Sequence, residues 1–219
     1  MDIEIFCVSD THSKPLDNPP PGAVAVLHAG DFYEHDGEVA EISEPLANCV
    51  RQFTIPVLAV RGNHDIEDPL AFFDSDRDVT ERLVQAAAGL WVAGVGWRGM
   101  TRSDLPGEND LHHVCGIVER QIWRLVRRVD RLILLSHYPP AIPSLGDILR
   151  HGPGYDCLRD LIDVFHPAAF IFGHVHESAG RQEEYVSSGH RTLVFNPGPT
   201  GGLLRIDQDG RASFTATTR

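Results

Sequence analysis

The chain has 219 residues, 31 of them acidic and 19 basic, for a formal charge of −12, and 42% are hydrophobic. These values are those of an ordinary folded protein and exclude a disordered, collagen-like or coiled-coil chain. No apolar run approaches the ~18 residues of a membrane helix, and Asp2 and Glu4 stand where a signal peptide would carry basic residues.

The acidic balance disfavours long nucleic acid as a partner, because such binding needs a basic face to displace phosphate counterions. A small phosphorylated substrate stays open, since a bound dication can supply local positive charge. Cys7, Cys49, Cys115 and Cys157 form no C-x-x-C. They read as reduced core thiols, and the compartment as cytoplasmic. With no linker, repeat or low-complexity stretch, one domain spanning 1–219 is expected.

In chain order, Ile3 to Val8 and Ala23 to Leu27 read as short buried strands, separated by a proline-rich connection that cannot form a long helix. Val39, Ile42, Leu46, Val50 and Phe53 recur at helical spacing, and Pro56 ends that helix before a strand over Val57 to Val60. Residues 79 to 97 give one clear signal, a glycine-containing strand over 90–96. Val118, Ile122, Leu125 and Val129 mark a second helix, followed by a strand at Leu132 to Leu135. Leu158, Leu161, Ile162 and Phe165 mark a third helix, followed by a strand at Ala168 to Phe172. Beyond Arg181, short strands alternate with Ser-Gly, Pro-Gly, Gly-Gly and Asp-Gly turns. Strand–helix–strand alternation predicts partly parallel sheet with helices packed on it.

Five polar clusters each follow a predicted strand: Asp10-Thr11-His12, Gly30-Asp31, Gly62-Asn63-His64-Asp65, Ser136-His137 and Gly173-His174-Val175-His176. Strands of one sheet running in the same direction would bring all five to one edge, where open α/β sheets bind ligands. Asp10 and His12, like His174 and His176, are two residues apart and project to the same side of an extended segment. Two carboxylates, an amide oxygen and four imidazoles form a mixed oxygen and nitrogen donor set without thiolate, suited to divalent metals. Seven donors are too many for one tetrahedral ion and fit two.

In this order the motifs resemble those of the calcineurin-like metallophosphoesterase superfamily, over residues 5–198. Val8 to Ser13, His28 to Glu34 and Phe172 to Glu177 look like the class III cyclic-nucleotide phosphodiesterase group, especially the MPPED-type proteins. Asn196-Pro197-Gly198 is similar to an Asn-Pro-Gly near the end of small bacterial and archaeal members. The resemblance implies an α/β fold of four layers, an αββα sandwich of two mixed β-sheets flanked by helices. It implies that Asp10, His12 and His176 hold one metal and Asn63, His137 and His174 the other, with Asp31 bridging. His64 then contacts phosphate oxygens or the leaving group without binding metal. The implied cofactors are two divalent ions, Mn²⁺ first, with Fe, Zn or Ni as alternatives. The implied reaction is in-line attack on phosphorus by a hydroxide bridging the ions.

The phosphoprotein phosphatases of the superfamily carry G-D-x-V-D-R-G, whereas here Gly30-Asp31-Phe32-Tyr33-Glu34-His35-Asp36 lacks the Asp-Arg pair. A phosphodiesterase acting on small nucleotide-like or cyclic-nucleotide substrates is therefore expected. A phosphomonoesterase of the same fold is the alternative, and a non-catalytic interaction module a third, disfavoured because every ligand position is present. Glu34 is a candidate to orient His64, Asp65 to cap or support the site and Tyr138 to line the pocket, while a solvated loop charge is the preferred role for Arg98 and contact with substrate phosphate the alternative. A structural hydrogen bond is the preferred role for His28, and a core role for Trp91 and Trp97. His35, His112, His113, His151, His166 and His190 are expected in loops or on the surface. The sequence leaves the oligomeric state open.

Overall fold

A computed structural model describes residues 2–33, 44–65, 77–97, 105–125, 131–142 and 154–217. Its elements, in chain order, are β1 (Ile3–Val8), β2 (Ala23–His28), α1 (Glu44–Gln52), β3 (Val57–Ala59), β4 (Leu83–Ala87), β5 (Leu90–Val95), α2 (Glu108–Leu125), β6 (Arg131–Ser136), α3 (Asp156–Phe165), β7 (Ala169–Ile171), β8 (Gln182–Ser187), β9 (His190–Phe195), β10 (Gly202–Ile206) and β11 (Ala212–Ala216).

Two sheets form, in the orders β11-β10-β1-β2-β3 and β4-β5-β6-β7-β9-β8. Both are mixed. β1, β2 and β3 run parallel while β10 and β11 are antiparallel, and β5, β6, β7 and β9 run parallel between antiparallel β4 and β8. Between the sheets, Ile5, Leu27 and Ile206 of the first meet Val92, Ile133 and Ile171 of the second. On the outer face of the first sheet, Phe6, Val26 and Val57 pack against Leu46 and Val50 of α1. On the outer face of the second, Ala93, Leu134 and Phe170 pack against Val118 and Ile122 of α2 and Leu158 and Ile162 of α3. Burying each such side chain contributes roughly 1.5–3 kcal/mol. Each central strand is apolar on both faces because both faces are covered. The result is the expected four-layer αββα sandwich.

β4 has no signal in the sequence: its side chains are nearly all half-buried, with no clean alternation. α2 begins ten residues before its first marker, Val118, with Leu111 and Val114 continuing the same buried stripe. Val39, Ile42 and Val129 lie outside the described residues. All four cysteines are free, and Cys7, Cys115 and Cys157 are buried. Among the described residues no helix is long and apolar enough to cross a membrane.

Candidate metal centre

The five polar clusters do meet at strand carboxyl ends, but they come from two sheets, which corrects the one-edge expectation. Asp10, Asp31 and Asn63 follow β1, β2 and β3 of the first sheet. His137, His174 and His176 follow β6 and β7 of the second. Hydrogen bonds across the sandwich tie the two sets together. The His174 N–H donates to Asp10 Oδ1 at 2.9 Å, and His137 Nδ1 donates to the Ala29 carbonyl at 2.8 Å.

The backbone here is bent where side chains rarely tolerate it. Asp10, His12, Asp31 and His174 all have left-handed φ, from 44° to 66°. Non-glycine residues in this region cost of order 1–3 kcal/mol each and persist when surroundings over-determine them. One such determinant is the pairing of the two loops, with Asp10 N–H on Gly30 O (2.9 Å) and His12 N–H on Asp31 O (3.2 Å). A second is close approach: a Cβ on Gly62 would lie 2.1 Å from Asp31 Oδ1.

Within this frame the donor atoms converge. His12 Nε2 lies 3.2 Å from His176 Nε2, which is 3.7 Å from Asp10 Oδ1. His137 Nε2 lies 3.1 Å from Asn63 Oδ1 and 3.4 Å from Asp31 Oδ2. His174 Nδ1 is 3.0 Å from the same Asn63 oxygen. Asp10, His12 and His176 form one group whose donor atoms all lie within 4.8 Å of one another, and Asp10, Asp31 and His137 form another. All seven expected ligand positions are thus brought to one place.

The chemistry of these donors fits cations. His12 Nδ1 donates to the Tyr33 carbonyl at 2.8 Å, as His137 Nδ1 does to Ala29, so each ring keeps an Nε2 lone pair turned inward. Asp10 Oδ2 is buried with no hydrogen-bond partner, a costly state for a carboxylate oxygen unless something positive satisfies it. Burial pushes Asp31 well above the usual carboxylate range, reinforced by the charges of Asp65 and Asp10. Burial also pushes Asp10 up, but neighbouring His176 and His137 outweigh it and hold that carboxyl below its ordinary value. His137 is shifted down by burial, and the Asp10 contact raises His176. Three carboxyl groups packed this closely repel one another when ionised, and a nearby cation would relieve that repulsion.

Asp65 supports the site from behind. Fully buried, its Oδ2 accepts from Asp31 N–H and Gly62 N–H and its Oδ1 from Phe32 N–H, all at 2.8–2.9 Å. Burial raises its carboxyl to about 6, against the lowering effect of these bonds. His64 sits on the wall of a cleft of about 300 Å³ with Asp31, Asn63, His174, His176, Leu105 and Glu177. Its N–H donates to Asp31 Oδ1 at 2.9 Å, and its ring stands perpendicular to His12 at 5.2 Å.

Tyr138 is off the cleft wall: it is fully buried with its ring against His137 and His174. Glu34 and Arg98, with His35 and His151, lie outside the described residues. His28 is buried, its Nδ1 accepting from Gly30 N–H and its Nε2 bonded to Thr11 Oγ1. His112, His113 and His190 are exposed and His166 half-buried, while Trp91 and Trp97 pack against the core. Residue-by-residue reading missed the fully buried Asn196. Its Nδ2 donates to Val175 O (3.0 Å) and Ser178 Oγ (2.9 Å), and its Oδ1 accepts from Ser9 Oγ (3.1 Å) and Gly198 N–H (2.9 Å). It thereby ties the His174–His176 segment to the residue before Asp10. The only sequence signal was Asn-Pro-Gly, which carried no chemistry by itself.

Comparison with known proteins agrees with this architecture. The sequence profile described as calcineurin-like phosphoesterase matches residues 4–178. A UPF0046 protein of Caenorhabditis elegans is 26% identical over 215 residues, covering 88% of this chain and 68% of its own. Human metallophosphoesterase domain-containing protein 1 is 25% identical over 226 residues, covering 87% and 67%. Among solved structures, a Thermus thermophilus protein superposes with TM-score 0.63 at 18% identity over 99% of both chains. The purple acid phosphatase PPD1 of yellow lupin gives 0.54 at 12% identity, over 99% of this chain and 52% of that one. Fold and site define a metallophosphoesterase-type α/β sandwich. The chain belongs to the calcineurin-like phosphoesterase family.

Proposed function

We propose that the protein is a dinuclear metal-dependent phosphodiesterase acting on small nucleotide-like or cyclic phosphodiesters. The observation that carries the reading is the convergence of two carboxylates, an amide oxygen and four imidazoles beside an open cleft, with His12 and His137 each fixed by a carbonyl in a tautomer that leaves Nε2 available. Asp10, His12 and His176 would hold one ion, Asn63, His137 and His174 the second, and Asp31 both. The mixed oxygen and nitrogen donor set suits divalent ions such as Mn²⁺, Fe, Zn or Ni, and the motif resemblance puts Mn²⁺ first. When bound, such a pair activates water and neutralises phosphoryl oxygens.

The chain's own residues do the rest. Asp65 and the paired loops keep Asp31 in place, which saves reorganisation during reaction. His64, on the cleft wall, would stabilise charge on a phosphoryl oxygen or give a proton to the leaving oxygen. The diester preference rests on the rim. Among the described cleft residues outside the donor set and His64 stand the exposed carboxylate of Glu177 and the half-exposed Leu105. A carboxylate opposes the dianion of a monoester more than the monoanion of a diester, and Leu105 offers apolar contact to a leaving group. No step needs a covalent phosphoenzyme.

The test is hydrolysis of bis-p-nitrophenyl phosphate beside p-nitrophenyl phosphate by chelator-stripped protein reloaded with Mn²⁺. Faster metal-dependent turnover of the diester is expected. Faster turnover of the monoester makes the protein a phosphatase, and no turnover of either overturns the enzymatic reading with these substrates.

A further inference from the structure

A second and larger cleft, of about 1000 Å³, opens at the other end of the sandwich. Its walls come from the amino-terminal ends of β6 and β9, the carboxyl-terminal ends of α2 and α3, and the β10–β11 connection. The candidate metal centre lies beyond the carboxyl end of β6, whose six residues span about 20 Å. The two clefts are therefore separate.

Two features of this cleft fit one kind of ligand. The first is a set of guanidinium groups. In the parallel part of the sheet Ile133 pairs with Ala169 and Ala169 with Leu193. Two residues earlier in the same row stand Arg131 and Arg191, two strands and so about 10 Å apart. Ile133 and Leu193 face the space between the sheets, and strand alternation puts both arginines on that side. Arg211 enters from the facing sheet's hairpin. Arg191 is paired with Glu184. Among the described residues of the wall, Arg131 and Arg211 stand with one further acid, Asp209. The described wall thus carries a surplus of one positive charge in a chain of charge −12, which favours an anion over a cation there.

The second feature is aromatic. Trp123 is 55% exposed although it lines the cleft, and its ring meets Phe165 edge-on at 5.3 Å. An exposed indole beside another aromatic ring is a surface on which a planar ring gains stacking energy. The wall is mixed, with Ile122, Leu132, Val164 and Phe165 beside the charged groups.

We infer that this cleft binds a small organic anion carrying a planar ring, with the ring on Trp123 at the helix-covered side of the second sheet and the anionic group reaching round the sheet's amino-terminal edge to Arg131 and Arg211. Guanidinium forks match phosphate and carboxylate geometry, so a nucleoside monophosphate and an aromatic carboxylic acid share the required chemistry. The site makes no claim on the reaction at the metal centre and stands or falls apart from it.

The experiment is calorimetric titration of the metal-loaded protein with AMP, benzoate, adenosine and inorganic phosphate, followed by tryptophan fluorescence. The expected result is a binding event that quenches Trp123 emission and that AMP or benzoate produces. The choice between those two identifies the source of the anion. In Arg131→Gln/Arg211→Gln the affinity of that event falls at least about tenfold. In Trp123→Phe the quench disappears. Turnover of bis-p-nitrophenyl phosphate without added ligand stays at the wild-type rate in both variants. Adenosine binding as tightly as AMP overturns the role of the arginines. Phosphate that displaces AMP from the quenching event with equal affinity overturns the role of the ring. A quench that survives unchanged in the double arginine variant, or no event at all, overturns the site.

Discussion

The buried carboxylate of Asp65 holds the backbone of Asp31: Asp65 Oδ2 accepts the Asp31 N–H at 2.8 Å, while Oδ1 takes the next N–H, that of Phe32. These bonds help fix Asp31 at φ 60°, the conformation that turns its side chain toward His137. Asp65→Asn keeps the size but turns one acceptor into a donor facing a backbone N–H. An unsatisfied buried donor costs about 1–3 kcal/mol, and losing a group that orients a metal ligand costs about 10–100-fold in metal affinity or activity. The variant is expected to bind metal more weakly and melt lower. Unchanged metal affinity by calorimetry would show that Asp31 is held without Asp65.

Which carboxylate joins the two ions is open to a direct test. Asp10 belongs to both groups of converging donors, and Asp31 to one, whereas the motif resemblance assigns the bridge to Asp31. With Asp31 as the bridge, Asp31→Asn loses turnover and drops metal content toward none, and Asp10→Asn retains one ion. The reverse pattern in metal analysis would move the bridge to Asp10.

His64 is assigned a role without metal. The residue is 7% exposed, on the cleft wall, and the contact to Asp31 comes from its backbone N–H, which substitution preserves. His64→Ala is expected to lower kcat by about 10²–10⁴-fold, the usual range for a positioned acid, while both ions stay bound. Loss of an ion by elemental analysis would make His64 a ligand.

The strand ends were the legible part of this molecule. Apolar runs such as Ile3 to Val8 stop at polar clusters, because a strand covered on both faces must be apolar and the chain leaving it meets water. His174 and Asn63 could be singled out as donors because glycine precedes each at such an exit. The partition of the strands between two sheets was not legible from the runs themselves. Asp10 and His137 follow similar strands, and only long-range pairing puts them in different sheets. β4 escaped because a half-buried edge strand has little alternation. Asn196 escaped because its work is done by four hydrogen bonds to residues 9, 175, 178 and 198, partners that only the fold brings within reach.

Close backbone approach makes Gly62 a sharp test of the site geometry. A Cβ there would stand 2.1 Å from Asp31 Oδ1 and 2.7 Å from Asp31 N, so one of the two segments must move. Shifts near 1 Å at a reacting site cost about 10²-fold in rate, and Gly62→Ala is expected to lose at least that much diester turnover. Gly116, inside α2, would place its Cβ no closer than 3.5 Å, to the end of Arg120. Gly116→Ala should leave turnover unchanged and raise stability by about 0.5–1 kcal/mol. Full activity in Gly62→Ala would mean that the Asp31 loop is not tightly seated.

His28 sets a pH dependence of stability that is separate from catalysis. Burial pushes its pKa down to about 3. Its Nδ1 accepts the Gly30 N–H at 3.2 Å, so Nε2 carries the proton, bonded to Thr11 Oγ1 at 3.1 Å. The unfolded chain takes up a proton here near pH 6.5, and the folded chain does so only near pH 3. Between these values the unfolded state binds more protons, so stability rises with pH and is lost as pH falls from 6.5 toward 3. The slope from this residue is at most about 1.4 kcal/mol per pH unit. In chelator-treated protein, where metal release adds nothing, urea unfolding at about pH 5 and about pH 7.5 should show this loss in the wild type. His28→Gln, less stable at the higher pH for want of the Phe32 stack at 3.6 Å, should lose less between the two pH values. An equal loss in both proteins would mean that His28 is protonated in the folded state and that other groups carry the acid sensitivity.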